Sequence, residues 1–191
     1  MKPSLFLIIF LFFCSCKKEK TIVWGNADFD STISGNPIYQ KLNTQKEILA
    51  VYEHDTSMRR TSDVIFTKEY DGANPLQSSK HYNCRSYYFN PEILTINIGL
   101  GSGLGGDGFI INYKNGKVYT EPYYYTDLEE DKKKEPVYQL IGQTLTLDKS
   151  QYQLGDSLYG NINLQILEIN EGRQTELCAN GFFRTKVGKH E

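Results

Sequence analysis

Residues 158–166, LYGNINLQI, carry the clearest structural signal of the chain. Their even-numbered positions hold Leu, Gly, Ile, Leu and Ile, whereas their odd-numbered positions hold Tyr, Asn, Asn and Gln. Alternation with a period of two is typical of a strand that buries one face and turns the other toward water. The segment therefore predicts a half-buried β-strand.

Similar patterns recur on both sides of this segment. In residues 175–187 the odd-numbered positions are mostly apolar or small, and residues 94–98 alternate Leu, Ile and Ile with Thr and Asn. Asn115-Gly116 separates two β-rich runs and predicts a tight hairpin, because both residues tolerate positive φ. Other β-rich runs occupy residues 63–70, 85–89, 109–113, 118–120 and 137–147. We therefore predict an all-β domain, an antiparallel sandwich or barrel of about nine strands.

The composition supports this fold class and limits the function classes. Fourteen tyrosines, with many Ile, Val, Thr and Phe, suit pleated surfaces better than helices. A chain of 191 residues can build one domain with its own core and is short for two. The formal net charge of −2 argues against a nucleic-acid ligand, which usually requires a basic surface.

The amino terminus has the features of a secretory signal peptide. Lys2 precedes an uninterrupted apolar run over residues 5–13, and these nine residues are too few to cross a bilayer, which takes about 20. The run leads into Phe13-Cys14-Ser15-Cys16, which resembles the lipobox of bacterial lipoproteins. In that motif an apolar residue stands three positions before the lipid-bearing cysteine, and a small residue stands directly before it.

This resemblance implies cleavage before Cys16 and attachment to a membrane through acyl chains, palmitate among them, on that cysteine. Lys17 is not the aspartate that retains lipoproteins in the inner membrane of enteric bacteria, so the resemblance favours the outer membrane of the cell envelope. The mature chain is also similar in composition to small lipoproteins of the Bacteroidota. We accordingly divide the chain into a signal peptide (1–15), a lipidated cysteine with a tether (16–36) and a single all-β domain (37–191).

Some segments leave local alternatives open. Thr44-Gln45-Lys46-Glu47 has the form of a helix capping box, so residues 48–52 fit either a short helix or, as we slightly favour, a buried strand. Residues 99–108 and 126–136 are predicted to be exposed loops. Cys84 and Cys178 remain after processing, and they are expected either to form a disulfide or to be two separate buried thiols.

Several motifs were considered as sites and set aside. Residues 101–106 match G-x-G-x-x-G, but the motif runs into a predicted strand rather than a helix, so nucleotide binding is not expected. His54, His81 and His190 are too scattered for a zinc site. Residues 28–32 begin like a calcium loop but lack its later ligands. We therefore predict no metal, no cofactor and no catalytic residue set.

Tyrosines supply the candidate binding face. If residues 119–125 form a strand, Tyr119, Tyr123 and Tyr125 share one face and Tyr124 takes the other. Tyrosine gives a large rigid contact area with a polar tip, which suits both protein interfaces and sugar stacking. The alternative is that these rings only cover the sheet and fill its core.

From these features we expect a protein-interaction module of the envelope, for example an immunity or inhibitor lipoprotein that binds a protein partner. A glycan-binding accessory lipoprotein that uses the tyrosine face is the alternative. An unrecognised hydrolase is the third hypothesis, and it requires a pocket that joins His81, Cys84 or an acidic pair.

Overall fold

The computed structural model describes residues 22–46, 59–70, 76–79, 83–102, 104–127 and 135–189. Within these ranges the chain forms eleven strands, one α-helix and one 3-10 turn, so the predicted all-β class is confirmed. The strands are β1 Gly25–Asn26, β2 Asp28–Phe29, β3 Ile65–Tyr70, β4 Leu76–Ser79, β5 Asn83–Asn90, β6 Ile93–Ser102, β7 Gly105–Lys114, β8 Lys117–Thr126, β9 Val137–Leu147, β10 Ser157–Asn170 and β11 Arg173–Lys189.

The strands form one folded sheet with the order β1-β8-β7-β6-β5-β11-β10-β9-β2, and β3 and β4 branch from β11. The long strand β11 joins the two halves of the sheet, because its first half pairs with β3 and its last residues pair with β5. The sheet is mixed, since β11 runs parallel to β5 and β2 runs parallel to β9. The predicted all-β fold of about nine strands is thus confirmed in its class, but the sheet is mixed rather than purely antiparallel, is not closed and has eleven strands among the described residues.

The core lies between the two halves of the folded sheet, and its residues follow the predicted alternation. In β10 every even-numbered position from Leu158 to Ile166 is buried, and Asn163 and Gln165 on the opposite face are exposed. In β11 the buried positions include Leu177, Ala179, Phe183 and Val187. The hairpin between β7 and β8 also forms as predicted, with φ of 48° at Asn115 and 79° at Gly116.

The two edges of the sheet meet at residues 25–29, which we call the edge-bridging segment. Its first part, β1, pairs with β8, and its last part, β2, pairs with β9. Between them Ala27 is buried in the core, and its N–H donates to the carbonyl of Gly116 at 2.9 Å. Strand pairing thus begins within residues 16–36, the range assigned to the tether.

One helix precedes β3. Helix α1, Pro37–Thr44, begins after Asn36, whose side chain accepts a hydrogen bond from the backbone N–H of Ile38. Pro37 suits the first helical position because its missing N–H would have no partner there. Among the described residues no helix is both long and apolar enough to cross a bilayer. The helix-or-strand alternative for residues 48–52 lies outside the described residues.

The glycine-rich segment at 99–108 is not the predicted loop. Strands β6 and β7 continue through it, and Gly99 pairs with Gly108 in their antiparallel ladder. Gly99 and Gly108 are required because the Tyr123 hydroxyl lies over them, and a Cβ at Gly99 would collide with it. The absence of side chains therefore makes room for an aromatic ring on the sheet. Of the predicted loop at 126–136, residues 128–134 lie outside the described ranges.

Cys84 and Cys178 are separate thiols. Cys84 is fully buried in the core from β5, whereas Cys178 lies on the opposite face of β11 from buried Leu177 and Ala179. The thiol of Cys178 donates to a carboxylate oxygen of Glu176 at 3.3 Å. Of the two alternatives for these cysteines, the structure shows the separate thiols rather than the bridge.

Candidate functional site

A groove separates β8 from β9 beyond the edge-bridging segment. In the described part of the chain, β8 has a strand on its outer edge only at Lys117 and Val118, where β1 pairs. Strand β9 has a neighbouring strand on its outer edge only at Thr146 and Leu147, where β2 pairs. The remaining lengths of both edges face each other and present backbone N–H and C=O groups to the gap. We call this gap the β8–β9 groove.

Two local features explain why the edges do not join. The pairing of β9 with β10 shifts between Gln165 and Ile166, so that Ile141 is an extra residue in β9. Such a bulge bends and twists a strand, which carries it away from a neighbour. In addition, Pro122 lies in β8, and a proline lacks the N–H that a further strand would need.

The groove has a volume of about 450 Å³ and a mostly apolar lining. Thirteen residues line it: Val23, Gly25, Tyr119, Thr120, Glu121, Pro122, Tyr138, Gln139, Leu140, Ile141, Gly142, Gln143 and Ile166. Val23 and Ile141 are exposed, at 70% and 51%, although both are aliphatic. Exposed aliphatic side chains beside open strand edges are a feature that folded proteins usually avoid, because they invite pairing with another chain.

Two polar atoms in the groove lining are buried without a hydrogen-bond partner among the described residues: Thr120 Oγ1 and Gln143 Oε1. Thr120 is only 2% exposed. The side chain of Gln143 reaches across the gap, where its Nε2 donates to the carbonyl of Val118 at 3.1 Å. A buried polar group without a partner costs about 1–3 kcal/mol, so such groups in a folded protein call for an explanation.

The predicted tyrosine face forms on β8, next to the groove. Tyr119, Tyr123 and Tyr125 share one face of the strand, and Tyr124, which is 62% exposed, takes the other. Tyr119 is buried against Trp24, with ring centroids 6.1 Å apart. Tyr123 and Tyr125 stack at 6.4 Å.

The phenols of Tyr123 and Tyr138 stay protonated at neutral pH. Burial, followed by the nearby Tyr125 and Asp107, raises the pKa of Tyr123 to about 12, and its hydroxyl donates to Asn97 Oδ1 at 3.1 Å. Burial and then the Glu168 carboxylate raise the pKa of Tyr138 to about 12. These rings therefore offer neutral hydroxyl groups and apolar surface rather than charge.

The other residues singled out from the sequence are not brought to the groove. Cys16, His54, His81 and His190 lie outside the described residues. Cys84 lies in the core and Cys178 lies on β11, so neither lines the groove. Sequence reasoning missed Thr120, Ile141 and Gln143, and the available signal was Pro122 within a β-rich run.

Scans of the chain against protein-family models, curated proteins and solved structures find no match.

Proposed function

We propose that this protein is a lipid-anchored interaction module of the bacterial envelope that binds an extended segment of a partner protein in the β8–β9 groove. One observation carries the proposal: two open strand edges flank an apolar groove that also holds two buried polar atoms without partners. An immunity or inhibitor lipoprotein that blocks a toxin or a hydrolase is a protein of this kind.

The open edges favour an extended peptide as the ligand. A peptide that adds to a sheet edge forms main-chain hydrogen bonds, and its alternate side chains enter pockets on one face. Here a bound strand would lie between β8 and β9 and would satisfy backbone groups on either side. The aliphatic side chains at Val23, Leu140 and Ile141 would contact apolar side chains of that strand.

The test uses the full-length chain and a displayed library of random peptides. We expect selected peptides to alternate apolar and polar residues, and single N-methyl groups at alternate backbone positions to weaken their binding at least tenfold. Ile141→Lys should abolish binding, because Ile141 lines the groove, whereas Val137→Lys should preserve it. Val137 is the matched control, since it is 63% exposed on the same strand and does not line the groove.

An outcome in which N-methylation has no effect, or in which Val137→Lys is as damaging as Ile141→Lys, would contradict edge pairing in the groove. A pull-down from envelope extracts extends the test to natural partners. It should recover the same protein with the wild type and Val137→Lys but not with Ile141→Lys.

The anchor is a separate part of the proposal. If Cys16 bears the lipid, Val23 at the groove lies seven residues from it, so a fully extended chain holds the groove within about 25 Å of the lipid. The partner would then approach close to the membrane surface. Cys16→Ser should abolish labelling with radioactive palmitate and release the chain from membranes, and labelling that persists in this variant would disprove the assignment.

A glycan ligand is the second candidate, favoured by Tyr125, which is 47% exposed and stacked on Tyr123. An exposed phenol ring can stack on the apolar face of a sugar. On a glycan array this hypothesis predicts a signal that Tyr125→Ala removes and Ile141→Lys does not. A blank array, or a signal unchanged by Tyr125→Ala, would eliminate it.

A further inference from the structure

A second cavity lies on the outer surface of the sheet where β5, β11 and β10 meet. Its volume is about 420 Å³, and eight of the residues that the structure describes line it: Arg59, Thr61, Arg85, Ser157, Tyr159, Arg184, Thr185 and Lys186. Four of the eight are cationic, four carry hydroxyl groups and none is acidic. We call this cavity the basic pocket. It is unrelated to the β8–β9 groove, with which it shares no lining residue.

The sheet topology produces this concentration of cations. Strand β11 places Arg184 and Lys186 on the same face, two residues apart, and β10 pairs Tyr159 with Arg184 and Ser157 with Lys186. Strand β5 joins β11 in parallel and adds Arg85 beside them. Residues distant in sequence are thus gathered at one point.

Neutral acceptors hold the guanidinium group of Arg184. Arg184 donates from Nη1 to the carbonyl of Tyr39 and from Nη2 to the carbonyl of Arg60, both at 3.3 Å. Arg85 donates from Nη1 to the carbonyl of Cys84 at 3.0 Å. A backbone carbonyl orients an arginine but does not neutralise it, so the charge of Arg184 remains available to a ligand.

We propose that the basic pocket binds a phosphate group. The chain as a whole carries a formal charge of −2, so four cations around one cavity, with no acidic residue among the eight described lining residues, are a local excess of positive charge. Arginine forks match the geometry of phosphate oxygens. The hydroxyl groups of Ser157 and Tyr159 add uncharged donors beside the cations.

The experiment titrates the full-length chain, in detergent, with inorganic phosphate while amide resonances are followed by NMR. We expect saturable shifts at Ser157, Tyr159 and Lys186, and a Kd that rises at least tenfold in Arg59→Gln/Lys186→Gln. Both replaced residues are exposed. The control Lys41→Gln/Lys189→Gln removes the same charge from exposed positions outside the pocket and should preserve the Kd.

The absence of saturation, or equal weakening by the two double variants, would overturn the proposal. Acetate that competes as well as phosphate would also overturn it, since the pocket would then bind anions in general. A vesicle assay distinguishes the source of the phosphate: sedimentation of the Cys16→Ser chain with phosphatidylglycerol, but not with phosphatidylcholine alone, identifies a lipid headgroup. Retained binding of inorganic phosphate without sedimentation identifies a soluble phosphate compound. Ile141→Lys should alter neither result, which separates this site from the groove.

Discussion

At the scale of single residues, the Thr120 hydroxyl lies in an unfavourable environment for a polar group. It is buried in the groove lining without a described partner. Thr120→Val removes this polar atom at nearly constant shape, so we expect the free energy of unfolding to rise by about 1 kcal/mol while binding of a groove peptide weakens. Urea denaturation and peptide titration measure the two effects.

Thr95→Val is the matched control, because Thr95 is equally inaccessible but its hydroxyl donates to Asn112 Oδ1 at 3.4 Å. This control should leave the stability unchanged or lower it. If Thr120→Val destabilises the protein as much as Thr95→Val does, the Thr120 hydroxyl has a hydrogen-bond partner. The proposal of a binding site in the groove would then be supported by one buried polar atom without a partner instead of two.

The Cys178 thiol provides a second prediction at this scale. Burial, followed by the hydrogen bond to Glu176, raises its pKa to about 11, well above that of an ordinary thiol. Because only the thiolate reacts, alkylation by iodoacetamide at pH 8 should be about 100-fold slower than that of an unperturbed thiol, and should accelerate as the pH rises toward 11. Glu176→Gln should raise the rate, whereas Glu135→Gln should not.

The same reagent tests the pairing of the cysteines. In denaturant without a reductant, both Cys84 and Cys178 should be alkylated, since they lie on different faces of the sheet. Mass spectrometry that finds both unmodified and linked would contradict the separate thiols. The sequence left this question open because pairing depends on which face each strand buries, and that face follows from tertiary contacts.

At the scale of elements, two glycines on the neighbouring strands β10 and β9 have opposite packing environments. A Cβ on Gly160 of β10 would lie 2.8 Å from Cε2 of Phe183, which is fully buried, whereas a Cβ on Gly142 of β9 would meet no heavy atom within 4 Å. Gly160→Ala should therefore destabilise the fold by about 1–3 kcal/mol through overpacking. Gly142→Ala should be neutral or stabilising by less than about 1 kcal/mol. Thermal unfolding measures both, and similar losses would contradict this packing.

Most strands were predictable from local patterns, and the exceptions have physical causes. Residues 137–147 match β9, and the Asn115-Gly116 hairpin forms, because alternation and turn chemistry are encoded locally. The hairpin at 99–108 was mistaken for a loop because its glycines accommodate Tyr123, a residue distant in sequence. Helix α1 was missed although Asn36-Pro37 is a good start signal, because its eight residues bury only Tyr39 and Leu42.

At the scale of the whole molecule, the order of the strands could not be predicted from the sequence. The path from β5 to β11 joins segments about 100 residues apart in a parallel pair, and local alternation does not specify such a partner. The groove and the basic pocket both depend on this order. Sequence reasoning therefore placed tyrosines on the correct face of β8 without revealing that the strand borders an open edge.

The edge-bridging segment offers a test of how the whole sheet is held together. Ala27 is 8% exposed and lies between the pairings with β8 and β9, so Ala27→Asp places a carboxylate in the core. We expect the free energy of unfolding to fall by about 3 kcal/mol. Asn26→Asp introduces the same group one residue earlier, at an exposed position where it can still accept from Lys117, and should have little effect.

Hydrogen exchange in these two variants shows which part of the sheet depends on the segment. If residues 25–29 keep the edges together, Ala27→Asp should accelerate the exchange of amides in β8 near Val118 and in β9 near Thr146, and Asn26→Asp should not. Acceleration confined to residues 25–29 would mean that the two edges hold their positions without the segment. The groove would then be a rigid feature of the folded sheet, and the segment would only mark one of its ends.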